Sequence, residues 1–529
     1  MKIVKNSILL FVWLSAVISP AIAQTNSFKN IKKAYLTSTK ALTISGEVKG
    51  YYTFWFLEKV NKKENSFMLT IMDENLETTQ EIELTKDKNF ILLESAYNGS
   101  TFCFSFINYK LKVVEYNMYD LNGKASGTYT TEKLSNMELQ YMASLVASED
   151  DVYSGGLMPV TDKGFIRYGM EKGDGWRYTM EMITNKGKKL WETNSGNEDG
   201  KAYESASPMY SNGNVLVSLI STRKGMMSKN MDAYCVFTNT TNGNELFKTE
   251  PVSDNDKKYV FQPIGINFDE SVNEYYLYGE YFKSGDKIMK DKSQGFYFQN
   301  ISKSGALIKE SFASWTKDIA AKLPVNENGK MDKNMSIVIH NMVRTADGKL
   351  FAIGEQFKKS VSAGGVALNI LAAANGQSGG SDAAIMKIEI HDMVVLEFDE
   401  NMDIEKAKVF NKASQNVYLP KGYGSLSTPM LGYILKSRGA FDYNFTSMSA
   451  DRTTFHCAYT NYDRNKAEAS NYVIGNISYT GDKLEFEKIR LAKKPTSFLV
   501  MPAKPGYLAI LEYFSKEKKI DIRLHELNQ

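Results

Sequence analysis

Few residues in this 529-residue sequence have the spacing that chemistry demands. Gly376–Gly380 (GQSGG) has the G-x-S-x-G form of a nucleophile elbow, which would raise a serine for acyl transfer. Such an elbow works at a strained turn from a strand into a helix. Ser378 instead sits in a Gly/Ser-rich stretch with no strand leading into it, so a flexible linker is expected. The four histidines, His340, His391, His456 and His525, have neither i,i+4 spacing nor Cys-x-x-Cys support for a metal site. His340 alone falls on an expected innermost strand. Asp399, Asn401 and Asp403 alternate like the start of a calcium loop, but Ile404 replaces the glycine and Phe410 the bidentate glutamate. That stretch reads as a polar hairpin tip. Cys103, Cys235 and Cys457 are far apart and odd in number, which suits small apolar strand residues better than a disulfide framework. No metal, cofactor or prosthetic group is indicated.

Binding residues are easier to nominate than catalytic ones. Aromatics are 12% of the chain, and most alternate along expected strands, as in Tyr51–Phe56, where they belong between packed sheets. Trp176 and Trp315 fall in expected connections and are the aromatic candidates for ligand contact. Lysine and arginine recur at one kind of corner: Lys62-Lys63, Lys110, Arg223-Lys224 with Lys229, and Lys283, Lys287, Lys290 and Lys292. Lys358-Lys359, Arg464 with Lys466, and Lys516 with Lys518-Lys519 continue the series. The opposite corners carry acids, as in Asp73-Glu74, Asp269-Glu270 and Asp399-Glu400. A protein polarised in this way would focus anionic ligands on one face. The candidate ligand-binding residues are therefore Lys224, Lys287, Lys290, Lys292, Trp176 and Trp315.

Those residues need a scaffold that presents corners on common faces. Asn98–Lys124 shows its grammar: Asn98-Gly99 and Asn122-Gly123 turns bracket two apolar runs, the signature of an antiparallel meander. Seven outer hairpins repeat it: Phe67–Leu84, Val114–Tyr129, Tyr178–Trp191, Tyr234–Phe247, Phe296–Ile308, Val394–Phe410 and Tyr472–Ile489. The last unit offers only Phe498–Met501, Tyr507–Phe514 and Ile520–Leu527. An open edge there would seek a partner, and Phe28–Leu36 can supply the missing outer strand. The expected fold is an all-β propeller of eight four-stranded blades, with seven as the alternative count. It spans 24–529 as a single domain whose ring closes through its amino-terminal segment. Glu132–Ser148 and Ala313–Leu323 read as short helices, Ser414–Leu435 as a Gly/Ser/Pro-containing connector, and 358–384 as an insertion within an inner hairpin.

Residues 1–23 read as a signal peptide: Lys2 and Lys5, an apolar run from Ile8, and a small-x-small site at Ala21-Ile22-Ala23. Without Lys2 and Lys5, the 64 basic residues become 62 against 61 acidic ones, which argues against nucleic acid as a partner. No later stretch is apolar enough to span a bilayer. The repeated units resemble β-propeller blades, and with the export signal they resemble uncharacterised secreted bacterial propeller proteins. That resemblance implies no catalytic residues. The Trp-Asp, paired-glycine and Ser-x-Asp-x-Gly-x-Thr-Trp signatures of better-known propellers are missing, and Thr345–Phe351 only approaches the last. The expectation is an exported, periplasmic or secreted, non-catalytic module for an anionic glycan or an envelope protein. The alternative is a carbohydrate-active enzyme with carboxylates converging at the propeller axis.

Overall fold

The computed structural model describes residues 24–528 apart from 45, 137, 140–141, 143–155, 173–174, 196–200, 226–227, 250–258, 326–334, 361–384, 400, 464–470, 482 and 492–494. The segment read as a signal peptide, the GQSGG stretch, Arg464, Lys466 and most of the 358–384 insertion thus lie outside the described residues.

The described residues form antiparallel meanders in strict chain order, within 33–87, 91–130, 157–194, 203–248, 259–314, 336–420, 443–490 and 497–526. The third and fourth share one hydrogen-bonded sheet through a single bridge, Trp176 to Tyr203. All seven outer hairpins read from the sequence are the third and fourth strands of their meanders. The final meander has three strands from the carboxyl-terminal end, and Thr25–Lys29 adds the fourth, antiparallel to Lys519–Glu526.

First strands follow one another around a closed ring. Ile91–Tyr97 touches Leu157–Val160, and the contacts pass on through Tyr203–Ser211, Tyr259–Asp269, Ser336–Arg344, Tyr443–Met448 and Ser497–Pro502. The last of these meets Lys40–Ile44, and the Leu36–Ser38 turn just before that strand meets Ile91–Tyr97. Consecutive meanders closing on themselves in this way form a β-propeller.

The reason lies in the period-2 pattern of the middle strands. Along Thr101–Asn108, Phe102, Phe104 and Phe106 pack towards Tyr52, Phe54 and Leu69 of the first meander. The intervening Cys103 and Ile107 pack towards Phe165 and Ile183 of the third. Both faces of the strand are therefore core, and the pattern repeats between every neighbouring pair of meanders. At the closure, Phe28 and Trp55 pack with ring centroids 5.0 Å apart among Tyr51, Leu511 and Ile522.

First strands also carry a recurring defect. Leu93, Met209, Ile264, His340 and Asn444 are each an extra residue in the ladder to the second strand, a β-bulge that bends the strand and leaves backbone groups unpaired. In the fifth and sixth meanders these freed carbonyls have a side-chain partner. Lys436 Nζ donates to Ile264 O and Ile339 O, each at 3.1 Å.

Lys436 comes from a helix, Thr428–Ser437, that the connector reading of Ser414–Leu435 did not contain. Ser427 caps it by accepting from the Met430 N–H, and Pro429 stands in its first turn, where a missing N–H costs nothing. Leu431 and Leu435 enter the core, while Tyr433 hydrogen-bonds Ser207, so the helix lies across the first strands of meanders four to six. Before it, Gln415–Pro420 pairs with Ile385–Ile390, the near half of the long third strand Ile385–Phe398. The Ala313–Leu323 reading also shifts: Ala313 and Ser314 end a strand, and a short helical turn covers Trp315–Ile319.

Phe28→Ala tests the closure. It removes a buried ring from the seam and is expected to cost about 3 kcal/mol in denaturant unfolding. A loss below about 1 kcal/mol would mean that Thr25–Lys29 contributes little to holding the ring shut.

Candidate functional site

Second strands of propeller meanders are apolar, which makes buried acids in them conspicuous, and two of these follow a glycine directly. The fifth meander has Gly279-Glu280 in Glu274–Lys283, and the sixth has Gly354-Glu355 in Leu350–Ser360. Both pairs occupy one register position. Gly279 faces Pro263, just before the Ile264 bulge, and Gly354 faces Ile339, just before the His340 bulge. A Cβ on Gly279 would stand 2.1 Å from Gln262 O, and one on Gly354 2.7 Å from Val338 O. The glycines are thus required by the close approach of the bulged strand.

Glu355 is fully buried and satisfied. Lys412 Nζ lies 2.9 Å from Glu355 Oε1 and also bonds Asp442, and the Tyr443 N–H donates to Glu355 Oε2 at 3.2 Å. His340 Nε2 is 3.3 Å from the same oxygen, and its ring stacks on Tyr443 at 4.7 Å. Burial is the strongest single influence and opposes ionisation of Glu355, but Lys412 and His340 together outweigh it and hold the carboxyl below its usual range. Burial pushes Asp442 up to about 7, against the pull of Lys412. Burial also lowers the His340 pKa, so its imidazole is neutral at pH 7. Lys412 and Asp442 are the two ends of the excursion that carries the helix, so this cluster clamps that excursion at its base.

Glu280 is arranged otherwise. Its hydrogen-bond partner among the described residues is the Ser293 hydroxyl, and Ser293 Oγ accepts from Trp315 Nε1 at 3.0 Å. Burial pushes the Glu280 carboxyl up to about 8, with Ser293 pulling it partway back. Above this trio is a cleft of about 260 Å³, just below the roughly 300–1,000 Å³ usual for small-molecule sites. Glu280, Ser293, Trp315, Ile337 and Phe357 form its inner wall, and Lys290, Asp291, Lys292, Lys359 and Thr428 its mouth. The mouth is braced from two sides. Ser427 Oγ donates to Ile288 O at 2.6 Å, fixing the helix start to the 283–295 corner. Lys359 Nζ donates to Leu426 O at 2.6 Å.

Three of the six nominated residues line this cleft. Lys290 and Lys292 are exposed at its mouth, while Trp315 is 2% exposed and acts as a core residue with a cleft-facing edge. Lys287 is on the same corner outside the lining, where its N–H donates to Asp291 Oδ2 at 2.7 Å. Lys224 is exposed on the neighbouring corner, joined to this one by Arg223, whose guanidinium lies 3.8 Å from Met289 Sδ. Trp176 opens the strand Trp176–Thr184 and packs on Tyr203 at 5.4 Å, at the bridge between meanders three and four. Sequence reading missed Glu280, Ser293 and Thr428, although the repeated Gly-Glu in otherwise apolar strands was the available signal.

The other candidates do not assemble. His391 is 3.4 Å from Glu389, His456 Nδ1 is 2.8 Å from Ser478 Oγ, and His525 Nε2 is 3.5 Å from Glu487. Among the described residues, no three His, Cys, Asp or Glu side chains gather as for a metal. The acids of the opposite corners shape their own turns. Asp73 Oδ1 accepts from the Asn75 and Glu77 N–H groups, and Asp399 Oδ1 from those of Asn401 and Asp403.

Two substitutions separate the acids. Lys412→Met leaves Glu355 and Asp442 buried without their cation and is expected to cost about 3–5 kcal/mol. Glu280→Gln should act in the opposite sense. A folded-state pKa near 8, above the unfolded value, means the folded protein keeps a proton that the unfolded chain releases between about pH 4.5 and 8. That contribution is complete below the window and is lost as pH rises through it, by up to about 1.4 kcal/mol per unit. Unfolding curves of wild type and Glu280→Gln should therefore diverge from pH 5 to 8 in favour of the variant. Parallel curves would place the proton elsewhere.

Comparison with known proteins adds a family and general resemblances of shape. No curated protein matches the chain. Among solved structures, the WD40 domain of SCAP from fission yeast is 9% identical, with 93% of this chain and 98% of that chain covered and a TM-score of 0.33. The β-propeller domain of the Trilobed protease from Pyrococcus furiosus is 11% identical, covering 88% and 99% of the two chains with a TM-score of 0.35. A polysaccharide lyase of family PL25, an ulvan lyase, is 9% identical over 82% and 91% with a TM-score of 0.38. A family profile matches residues 3–528, nearly end to end. The chain belongs to DUF6770, a family of unknown function.

Proposed function

We propose that this protein is an exported, non-catalytic propeller module, eight-bladed if each meander counts as one blade, that binds an anionic glycan. The binding face is the one formed by the corners between second and third strands. The observation that carries this reading is the pair of exposed ammonium groups, Lys290 and Lys292, at the mouth of a half-open cleft. The neighbouring Arg223-Lys224 corner extends the positive surface, and two acids of the 283–295 corner, Asp286 and Asp291, are engaged with backbone N–H groups of their own loop. A cleft of this size suits one sugar unit, with the rest of the polymer lying along the lysine corners. Such a site gains mainly from charge complementarity and weakens with salt.

The enzymatic alternative has one observation in its favour. Glu280, with its raised pKa, resembles a general acid in a cleft. Its cleft neighbour Asp291 would have to serve as the second carboxylate, and Asp291 already accepts the Lys287 N–H. Binding therefore remains the preferred reading.

Thermal shift and direct binding against acidic and neutral polysaccharides, at low and physiological salt, test the proposal. Stabilisation by acidic polymers, fading with salt and reduced at least fivefold in affinity by Lys290→Glu with Lys292→Glu, is expected. Stabilisation by neutral polymers that ignores salt would overturn it. A response to acidic proteins but to no glycan would replace the glycan with a protein partner.

A further inference from the structure

The two Gly-Glu positions allow a comparison inside one molecule. In the sixth meander, Glu355 faces Met393 of the third strand through Gly354–Val394 pairing, and Met393 faces Phe410 of the outer strand. Two residues after Phe410 comes Lys412, whose ammonium neutralises Glu355. In the fifth meander, Glu280 faces Phe296, and Phe296 faces Ala313. Two residues after Ala313 comes Trp315. The position that supplies an ammonium in one gap between sheets supplies an indole in the next, and there the cleft opens beside the carboxyl.

We propose that the cleft binds a compact primary amine, whose ammonium group takes at Glu280 the place that Lys412 takes at Glu355, while Lys290 and Lys292 hold an anionic group of the same ligand or of its polymer. The inference deepens the glycan reading, because it uses the same cleft and names the functional group that the bound unit must carry. An amino sugar with a free amine and an α-amino acid share this chemistry.

Three features support it. Glu280 is 4% exposed and opens on space rather than on a protein cation among the described residues. The hydroxyl of Ser293, held by Trp315, fixes the carboxyl so that it meets a ligand in one orientation. The raised pKa is the signature of a buried acid awaiting a counter-charge, as Glu355 would be without Lys412. The charged groups around Glu280 are Lys290, Asp291 and Lys292 from the corner loop and Lys359 from the sixth meander; the helix start contributes only Ser427 and Thr428. The lysines weaken the pull on a simple amine without excluding it, and a ligand with both an ammonium and an anionic group binds more tightly.

Binding should follow the proton. Below the Glu280 pKa, ammonium binding forms an ion pair and releases the carboxyl proton to buffer, so affinity rises with pH up to about 8. Isothermal titration with glucosamine, glycine, glucose and N-acetylglucosamine reads this directly. The amines should bind, with a heat that depends on the buffer, while glucose and N-acetylglucosamine should not. Glu280→Gln, nearly isosteric and checked for folding by its thermal midpoint, should lower amine affinity tenfold or more. Glucosamine without glycine points to an amino sugar, and glycine without glucosamine to an amino acid. Equal binding of N-acetylglucosamine, unchanged affinity in Glu280→Gln, or no amine binding would overturn the inference. Acidic polymers that bind when amines do not leave the glycan reading standing. Amines that bind when acidic polymers do not leave the inference standing and remove that reading.

Discussion

A sheet whose middle strands are apolar on both faces has to be covered twice, and no pair of such sheets can satisfy each other. Where sheets alone supply the cover, a ring is the finite arrangement that leaves no face wet. Everything else in this molecule follows from that constraint. Thr101–Asn108 is buried along its whole length because Phe102, Phe104 and Phe106 serve one neighbour while Cys103 and Ile107 serve the other. The same logic makes the closing sheet a composite of the two chain ends, since a three-stranded last sheet would leave Ile520 and Ile522 without their cover from Phe28.

Ring geometry then sets where polar groups can stand. First strands converge on the axis and must bend to do so, and the bulges at Ile264 and His340 achieve this at the expense of paired backbone. Lys436 restores two of those hydrogen bonds from the helix, although burial lowers its pKa to about 7. Its ammonium is also 5.3 Å from the Tyr278 ring centroid, a favourable arrangement for a desolvated cation. The helix is thus tied to the scaffold at its start through Ser427, near its end through Lys436, and at the base of its excursion through Lys412 and Asp442.

What was legible in the sequence was whatever depends on local pattern. The outer hairpins from Phe67–Leu84 to Tyr472–Ile489 announce themselves by alternating apolar residues around Asn, Asp and Gly turns. The acids of the opposite corners were visible too, but their meaning was not, because an aspartate that orders its own turn and one that faces a ligand look alike in sequence. Thr428–Ser437 was hidden by the glycines and prolines around it, even though Ser427-Thr428-Pro429 is a sound helix start. The least legible feature was the pairing of Glu355 with Lys412. Those residues are far apart in sequence and meet only because one lies on a second strand and the other just beyond the outer strand of the same sheet.

That long-range pairing explains why Glu355 meets a cation of its own sheet while Glu280 opens on a cleft. Bulge, glycine and glutamate are laid down alike in the fifth and sixth meanders, so the backbone alone does not distinguish them. The side chain two residues beyond the outer strand does. A lysine there closes the gap with an ion pair and gathers Asp442 and His340 into a dry cluster. A tryptophan there fills the floor, donates to Ser293, and leaves the acid facing open volume. Burying an acid without a counter-charge works against folding, and the raised pKa of Glu280 shows the protein meeting that cost by keeping the proton. A scaffold that neutralises one glutamate and leaves its register twin protonated beside a lysine-rimmed opening has the asymmetry expected of a binding site, not of a packing repeat.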